Sequence, residues 1–236
     1  MIRKPFHFRE TFATILADDP VHIRAAKAGM MAARQVLEAH IARDPFFAAT
    51  FEPYDPDSGE LVITRMADAG RRAGVGPMAA VAGTIAWAGV EAMQEAGASF
   101  GVIDNGGDIA LLADRPVRVG VHAGSAALSD RVAFVVPPRD TILGICTSSA
   151  SVGPSISLGM ADAVTVFSRD VALADAWATS VCNQIRPEDR SILERVDPSE
   201  VSGIFAIMGD VTVRWGQLPP LVPAVVDERL ISAGDR

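Results

Sequence analysis

Three short stretches of this chain carry side chains of a type and spacing that could do chemistry. The first, Asp104-Asn105-Gly106-Gly107-Asp108, sets two carboxylates and an amide around a pair of glycines. Residues without Cβ tolerate positive φ and close backbone approach, so the pair allows a tight reversal that would gather those side chains. Such a reversal is either the floor of a polar pocket at strand ends or a plain hairpin turn, because Asx and Gly are common turn chemistry. The second stretch holds Asp175 and Thr179, four apart and so on one face of a helix, with Ala174, Ala178 and Cys182 keeping the surroundings small. A carboxylate and a hydroxyl there could hold a hard cation such as Mg2+, which takes oxygen ligands. The same Asp near a helix N-terminus could instead simply complement the helix dipole. The third stretch, Thr147-Ser148-Ser149, opens a hydroxyl-rich run to Ser157 with Gly153 and Pro154 inside it. It reads as a surface loop or as the lining of a phosphate or sugar site. It contains no G-x-S-x-G nucleophile turn, and no histidine is placed to activate a serine.

The elements that must position these residues follow from apolar periodicity. Apolar runs at 100–103 and 109–112 read as strands on either side of the two glycines. Alternation over 7–16 predicts an early strand, and helical spacing predicts an amphipathic helix over 23–42 that Pro45 stops. Residues 46–59, with Pro53 and Pro56, read as irregular. A helix is expected over 63–73, and a second one, rich in Ala and Gly, over 78–96. Gly76-Pro77 at the start of that second helix suits a first-turn proline, and its free N–H groups could bind an anion or simply pack tightly. Strands are expected at 117–121, 132–136, 141–145 and 161–167. Asp170 then reads as the N-cap of a helix over 171–185. A hairpin about Gly209-Asp210 follows, and residues 219–236, with three prolines, read as a peripheral tail.

Composition limits what such a chain can be. Its 236 residues are 49% hydrophobic and 21% charged, which suits one folded domain or two lobes sharing a core. A formal charge of −8 without a basic stripe argues against nucleic-acid binding. The cysteines, Cys146 and Cys182, are too few for a disulfide framework or a zinc cluster, and read as small buried hydrophobes. No apolar run reaches the roughly 18 residues of a membrane span, and the basic N-terminus lacks a signal-peptide core. The expectation is a soluble cytoplasmic protein.

Taken together, three segments resemble the ApbE-type flavin transferases, also known as thiamine-biosynthesis lipoproteins. They are Ala79-Ala80-Val81-Ala82-Gly83-Thr84-Ile85-Ala86, the turn Gly106-Gly107-Asp108, and Ala174-Asp175-Ala176-Trp177-Ala178-Thr179-Ser180, which is similar to that family's A-D-A-x-A-T-A. The resemblance is closer still to an uncharacterised bacterial and archaeal branch with G-P-M-A-A-V-A-G, N-G-G-D-I, T-S followed by G-x-S-x-S-x-G, and A-D-A-x-A-T. Here these stand at 76–83, 105–109, 147–148 with 153–159, and 174–179, and the likeness spans about 8–186.

The resemblance implies one α+β domain over 1–236, with mixed or antiparallel sheets packed with helices around a central cleft. In the flavin transferases that cleft holds FAD with Mg2+, and FMN passes to a Thr or Ser of a partner protein. Asp175 and Thr179 match the magnesium positions, with a backbone carbonyl near 79–82 as a third ligand. Gly106, Gly107 and Asp108 match the turn beside the flavin nucleotide. Asn105 and Asp108 would orient the ligand, and Thr147, Ser148 and Ser149 would contact its phosphate. Three departures stand out: Trp87 and Ala88 fill the region of the family's lysine, 155–162 lacks the family's H-x-x-D-P, and no lipidated cysteine precedes the domain. The expected function is Mg2+-dependent binding of FAD or another phosphate-bearing ligand, with FMN transfer or pyrophosphate cleavage. The alternative is a non-catalytic ligand-sensing or assembly module on the same fold. An acceptor protein and a homodimer are the expected partners, with neither nucleic acid nor membrane.

Overall fold

Residues 1–149 and 161–225 are described by a computed structural model. In chain order the elements are β1 (Ile2–Phe8), β2 (Thr11–Ala17), α1 (Pro20–Arg43), α2 (Phe46–Ala49), α3 (Leu61–Ala73), α4 (Val81–Glu95), β3 (Phe100–Asn105) and β4 (Asp108–Ala113). They continue as β5 (Val117–Gly120), β6 (Val132–Val136), β7 (Arg139–Ser148), β8 (Ala163–Ser168), α5 (Val171–Gln184), β9 (Val201–Met208), β10 (Val211–Gly216) and β11 (Leu221–Pro223). Eight strands make one sheet in the order β1-β2-β3-β4-β7-β8-β9-β10, and β11-β6-β5 make a small second sheet. Each pairing is antiparallel. The fold is the α+β arrangement expected, and it is built from antiparallel pairs alone among the described residues. No single helix among them is long and apolar enough to cross a membrane.

Strand alternation divides the interior into two cores. Ala110, Leu112, Cys146, Val164 and Val166 face the helices, while Leu111, Ile145, Ala163 and Phe167 face the small sheet. In that second core the Phe134 ring lies edge-on to Phe167 and Phe205, with centroids 4.9 and 5.6 Å away. Burying each such ring contributes about 1.5–3 kcal/mol, and Val121, Val136, Leu111 and Ile207 add to the same core between the sheets.

Three local expectations change. Residues 7–16 are not one strand but the β1–β2 hairpin, reversed at Arg9, whose φ is 55°. The polar run Arg9-Glu10-Thr11 interrupts the alternation, and the reversal falls there. Within 46–59 Phe47 is wholly buried against the ring of His40, and this anchor winds α2 into a single turn. The tail from 219 is not wholly peripheral: Leu221–Pro223 pairs with β6, Leu221 opposite Phe134.

Candidate functional site

Gly106 and Gly107 have φ of 70° and 101°, the left-handed values that a two-residue type I′ hairpin requires and glycine adopts without strain. Asn105 and Asp108 therefore face each other across the β3–β4 turn, and Asp104 Oδ1 accepts from the Gly107 N–H at 2.9 Å. The stretch is a hairpin turn, and it also carries polar side chains to the strand ends. Register then sorts those side chains. Asp108 is opposite Cys146, so Asn105, Asp108 and Ser148 lie on the helix side of the sheet. Asp104 and Thr147 lie on the small-sheet side, where Thr147 Oγ1 and Thr165 Oγ1 are hydrogen-bonded at 2.9 Å. Thr147 and Ser148, expected in one phosphate-contacting turn with Ser149, are the last two residues of strand β7 and point to opposite faces. Ser148 and Ser149 are both buried. The Gly-Ser motif at 153–159 lies outside the described residues.

Helix α5 supplies the other carboxylate. Asp170 caps it, accepting from the Leu173 N–H at 2.9 Å. The helix lies directly on β7 at Gly144, where a Cβ would meet Val171 Cα at 2.8 Å. Helix α4 crosses α5 just as closely: a Cβ on Gly83 would meet Asp175 Cβ at 2.9 Å and the Val171 carbonyl oxygen at 3.0 Å. That approach lets the Gly83 N–H donate to Asp175 Oδ2 at 2.8 Å. The N-terminus of α4 does receive an anion, namely a carboxylate of its own chain. Asn105 Nδ2 donates to the neighbouring Ala82 carbonyl at 3.0 Å, which ties the turn to the same helix start. Thr179 is half-buried one turn beyond Asp175. The chain fold thus brings together Asn105, Asp108, Asp175 and the Ala82–Gly83 backbone.

The electrostatics of this group are unbalanced. Burial raises Asp175 from 3.8 to about 7, with the Gly83 and Ala82 N–H groups pulling the other way. Burial also pushes Asp108 well above the usual carboxylate range, and the charges of Asp175 and Asp104 add to it. Asp108 Oδ1 is buried and has no hydrogen-bond partner among the described residues. Burial, then Asp108 and Asp175, likewise push the Cys146 thiol up, so it is an inert neighbour and not a nucleophile. The motif at 76–83 marked the stretch that holds Gly83, whereas nothing in the sequence around Cys146 marked it as part of this group. Their placement comes from register and helix crossing.

Two close carboxylates, one with an orphaned oxygen, suit either a shared proton or a divalent cation. Among the described residues no three His, Cys, Asp or Glu side chains converge as metal ligands. A Mg2+ ion there would draw on Asp175 and Asp108 together with neutral oxygens such as the Ala82 carbonyl, with Thr179 one helical turn from Asp175. A shallow depression of about 510 Å³ lined by Ser99, Asp114, Arg139 and Asp140 lies at the opposite end of β4 and takes no part.

Comparison with known proteins gives three results. The family model described as AbpE bacteria matches residues 6–221. A UPF0280 protein of Methanoregula boonei is 68% identical over all of both chains, and one of Methanosphaerula palustris is 58% identical over 100% of this chain and 99% of that one. Among solved structures, the apo flavinyl transferase ApbE of Pseudomonas stutzeri superposes with a TM-score of 0.58 at 14% identity, covering 99% of this chain and 98% of the other. The flavin transferase ApbE of Vibrio cholerae gives 0.55 at 12% identity, over 91% and 96%. At those identities the likeness is one of fold.

Proposed function

We propose, for a chain that belongs to the AbpE bacteria family, Mg2+-dependent binding of FAD or a similar phosphate-bearing ligand in the cytoplasm, with cleavage of its pyrophosphate or transfer of FMN to an acceptor protein. The observation that carries this reading is the buried Oδ1 of Asp108, which lacks a partner among the described residues and lies beside the Asp175 carboxylate. Proteins do not leave such a group without a partner unless a proton or ligand completes it. Fold likeness to structures described as flavin transferases points to the kind of ligand.

In this reading Asp175, Asp108, Thr179 and the Ala82 carbonyl hold the metal, and Asn105 keeps that carbonyl oriented. When bound, the cation supplies charge neutralisation and Lewis acidity to a pyrophosphate. Gly106 and Gly107 let the ligand approach the backbone, Ser148 and Ser149 offer hydroxyl donors to phosphate oxygens, and Thr147 borders the site from the other sheet face.

A second reading, binding without turnover, has an observation of its own. In the region of the family's lysine stands Trp87, with the Arg65 guanidinium 3.8 Å above its ring and paired to Glu91 at 2.7 Å. That arrangement occupies the surface without presenting a free amine. Titration of flavin-free protein with FAD, with and without Mg2+, followed by product analysis, separates the readings. Mg2+-dependent binding with AMP release supports the enzyme, binding without AMP supports a sensing or assembly module, and no binding removes FAD as the ligand.

A further inference from the structure

The segment that joins α1 to α3 presents apolar rings and unpaired carboxylates to solvent. Phe46 is 57% exposed and Phe51 76%, while Phe47 beside Phe46 is wholly buried. The Phe46 ring lies edge-on to Tyr54, with centroids 5.1 Å apart. Phe51 leaves directly from the single turn of α2, which the Thr50 N–H closes on the Phe46 carbonyl at 3.0 Å. The same segment carries Glu52, Asp55, Asp57 and Glu60, all exposed and none in an ion pair among the described residues. Residues 44–60 contain no Lys or Arg. Arg43, just before them, turns back to its own helix and donates from Nε to the Ala39 carbonyl at 3.1 Å.

This surface is braced. Phe47 packs against the His40 ring at 4.8 Å, and the Tyr54 hydroxyl donates to Asp44 Oδ2 at 2.9 Å, at the end of α1. The Gly76 N–H donates to the Phe51 carbonyl at 2.7 Å, and a Cβ on Gly76 would meet the Thr50 carbonyl oxygen at 2.1 Å. The loop is therefore seated on the chain just before the turn Pro77–Ala80. Pro45, Pro53 and Pro56 restrict its backbone further. Phenylalanines held toward water on a braced loop forgo burial that a partner would restore. Bracing lowers the entropy cost of binding, and aromatic rings are enriched where proteins meet.

We propose that this face docks a segment of another protein, one that sets apolar side chains on Phe46 and Phe51 and Lys or Arg opposite the four carboxylates. Charge decides the occupant. Glu52, Asp55, Asp57 and Glu60 repel anionic lipid headgroups and nucleic-acid phosphates, and they attract a cationic chain. A second copy of this protein brings a formal charge of −8 of its own, which opposes self-association. The rings supply the area removed from water, and the carboxylates steer and orient the arriving segment. Docking here does not depend on what the Asp108–Asp175 group binds.

The test uses full-length protein and synthetic peptides of equal Leu and Phe content, in which Lys is exchanged for Ser and then for Glu. Fluorescence anisotropy should show binding of the Lys peptides, weakened as salt screens the charges, and none of the Glu peptides. Phe46→Ala combined with Phe51→Ala should weaken binding about tenfold or more. Glu52→Lys with Asp55→Lys should turn the preference toward the Glu peptides. Glu188→Lys with Asp210→Lys, an equal change of charge at other exposed positions, should leave the preference as it was. Absence of binding, equal binding of all peptides, the same response in both charge-reversed proteins, or unchanged affinity in the alanine variant overturns the proposal. So does sedimentation showing a wild-type dimer that the alanine variant loses, or binding to anionic vesicles that it loses, since the occupant is then a second copy or a membrane. Should the alanine variant fail to fold, the charge reversals, made with both rings in place, still decide.

Discussion

The Gly83 N–H donates to Asp175 Oδ2 at 2.8 Å, so the first turn of α4 is capped by a carboxylate that belongs to α5. Orphan N–H groups at a helix start need acceptors, and the dipole there favours negative charge. Helix packing and site geometry are thus one interaction. The side chain that would hold a cation also fixes the angle at which two helices cross.

Gly83→Ala tests that coupling. Its methyl group would sit 2.9 Å from Asp175 Cβ and 3.0 Å from a backbone oxygen, neither of which can move cheaply. Overpacking of this kind costs about 1–3 kcal/mol. Urea denaturation should show that loss, and the variant should bind Mg2+ more weakly because Asp175 is displaced.

The pH dependence of stability follows from Asp175. Burial raises its pKa from 3.8 to about 7, above its value in the unfolded chain. A raised acid stabilises the fold fully below its unfolded pKa, and this contribution is lost as pH rises through the folded one. Metal-free protein should therefore melt lower at about pH 8 than at about pH 5, with a loss of order 3 kcal/mol at most between the two. Thermal melts in chelator check this, and Asp175→Asn should flatten the curve.

Asp108→Asn separates charge from shape. It removes a buried carboxyl whose ionisation burial and the charges of Asp175 and Asp104 oppose, so the metal-free protein should become more stable at neutral pH. Wild-type protein should gain about 2.7 kcal/mol at Mg2+ a hundredfold above its Kd, reversed by chelator, and the variant should gain almost nothing. A Mg2+-induced melting shift of equal size in both proteins would remove Asp108 from the metal site.

Asn105→Ala takes away the 3.0 Å donor to the Ala82 carbonyl. Loss of one such hydrogen bond costs about 0.5–1.5 kcal/mol. Calorimetry should show weaker Mg2+ binding as well, since the carbonyl loses its orientation.

The sequence by itself determined more of this protein than the local fold. Turn chemistry at Gly106-Gly107, the cap at Asp170 and the apolar runs on either side of each were legible because they depend on neighbours within a few residues. Asp108 and Asp175 were legible as candidate site residues through the motifs that contain them. Tertiary structure decided which of the candidates meet. Thr147 and Ser148 are adjacent in the chain, yet strand alternation sends them to opposite faces. Gly83 and Asp175 are 92 residues apart, yet missing side-chain volume lets their helices touch. His122 and Asp130, eight apart across a Gly-Ser loop, form a pair that no periodicity announces. Local conformation is set by short-range sterics and hydrogen bonding, whereas a site is assembled by register and close packing between elements, and these depend on the whole chain at once.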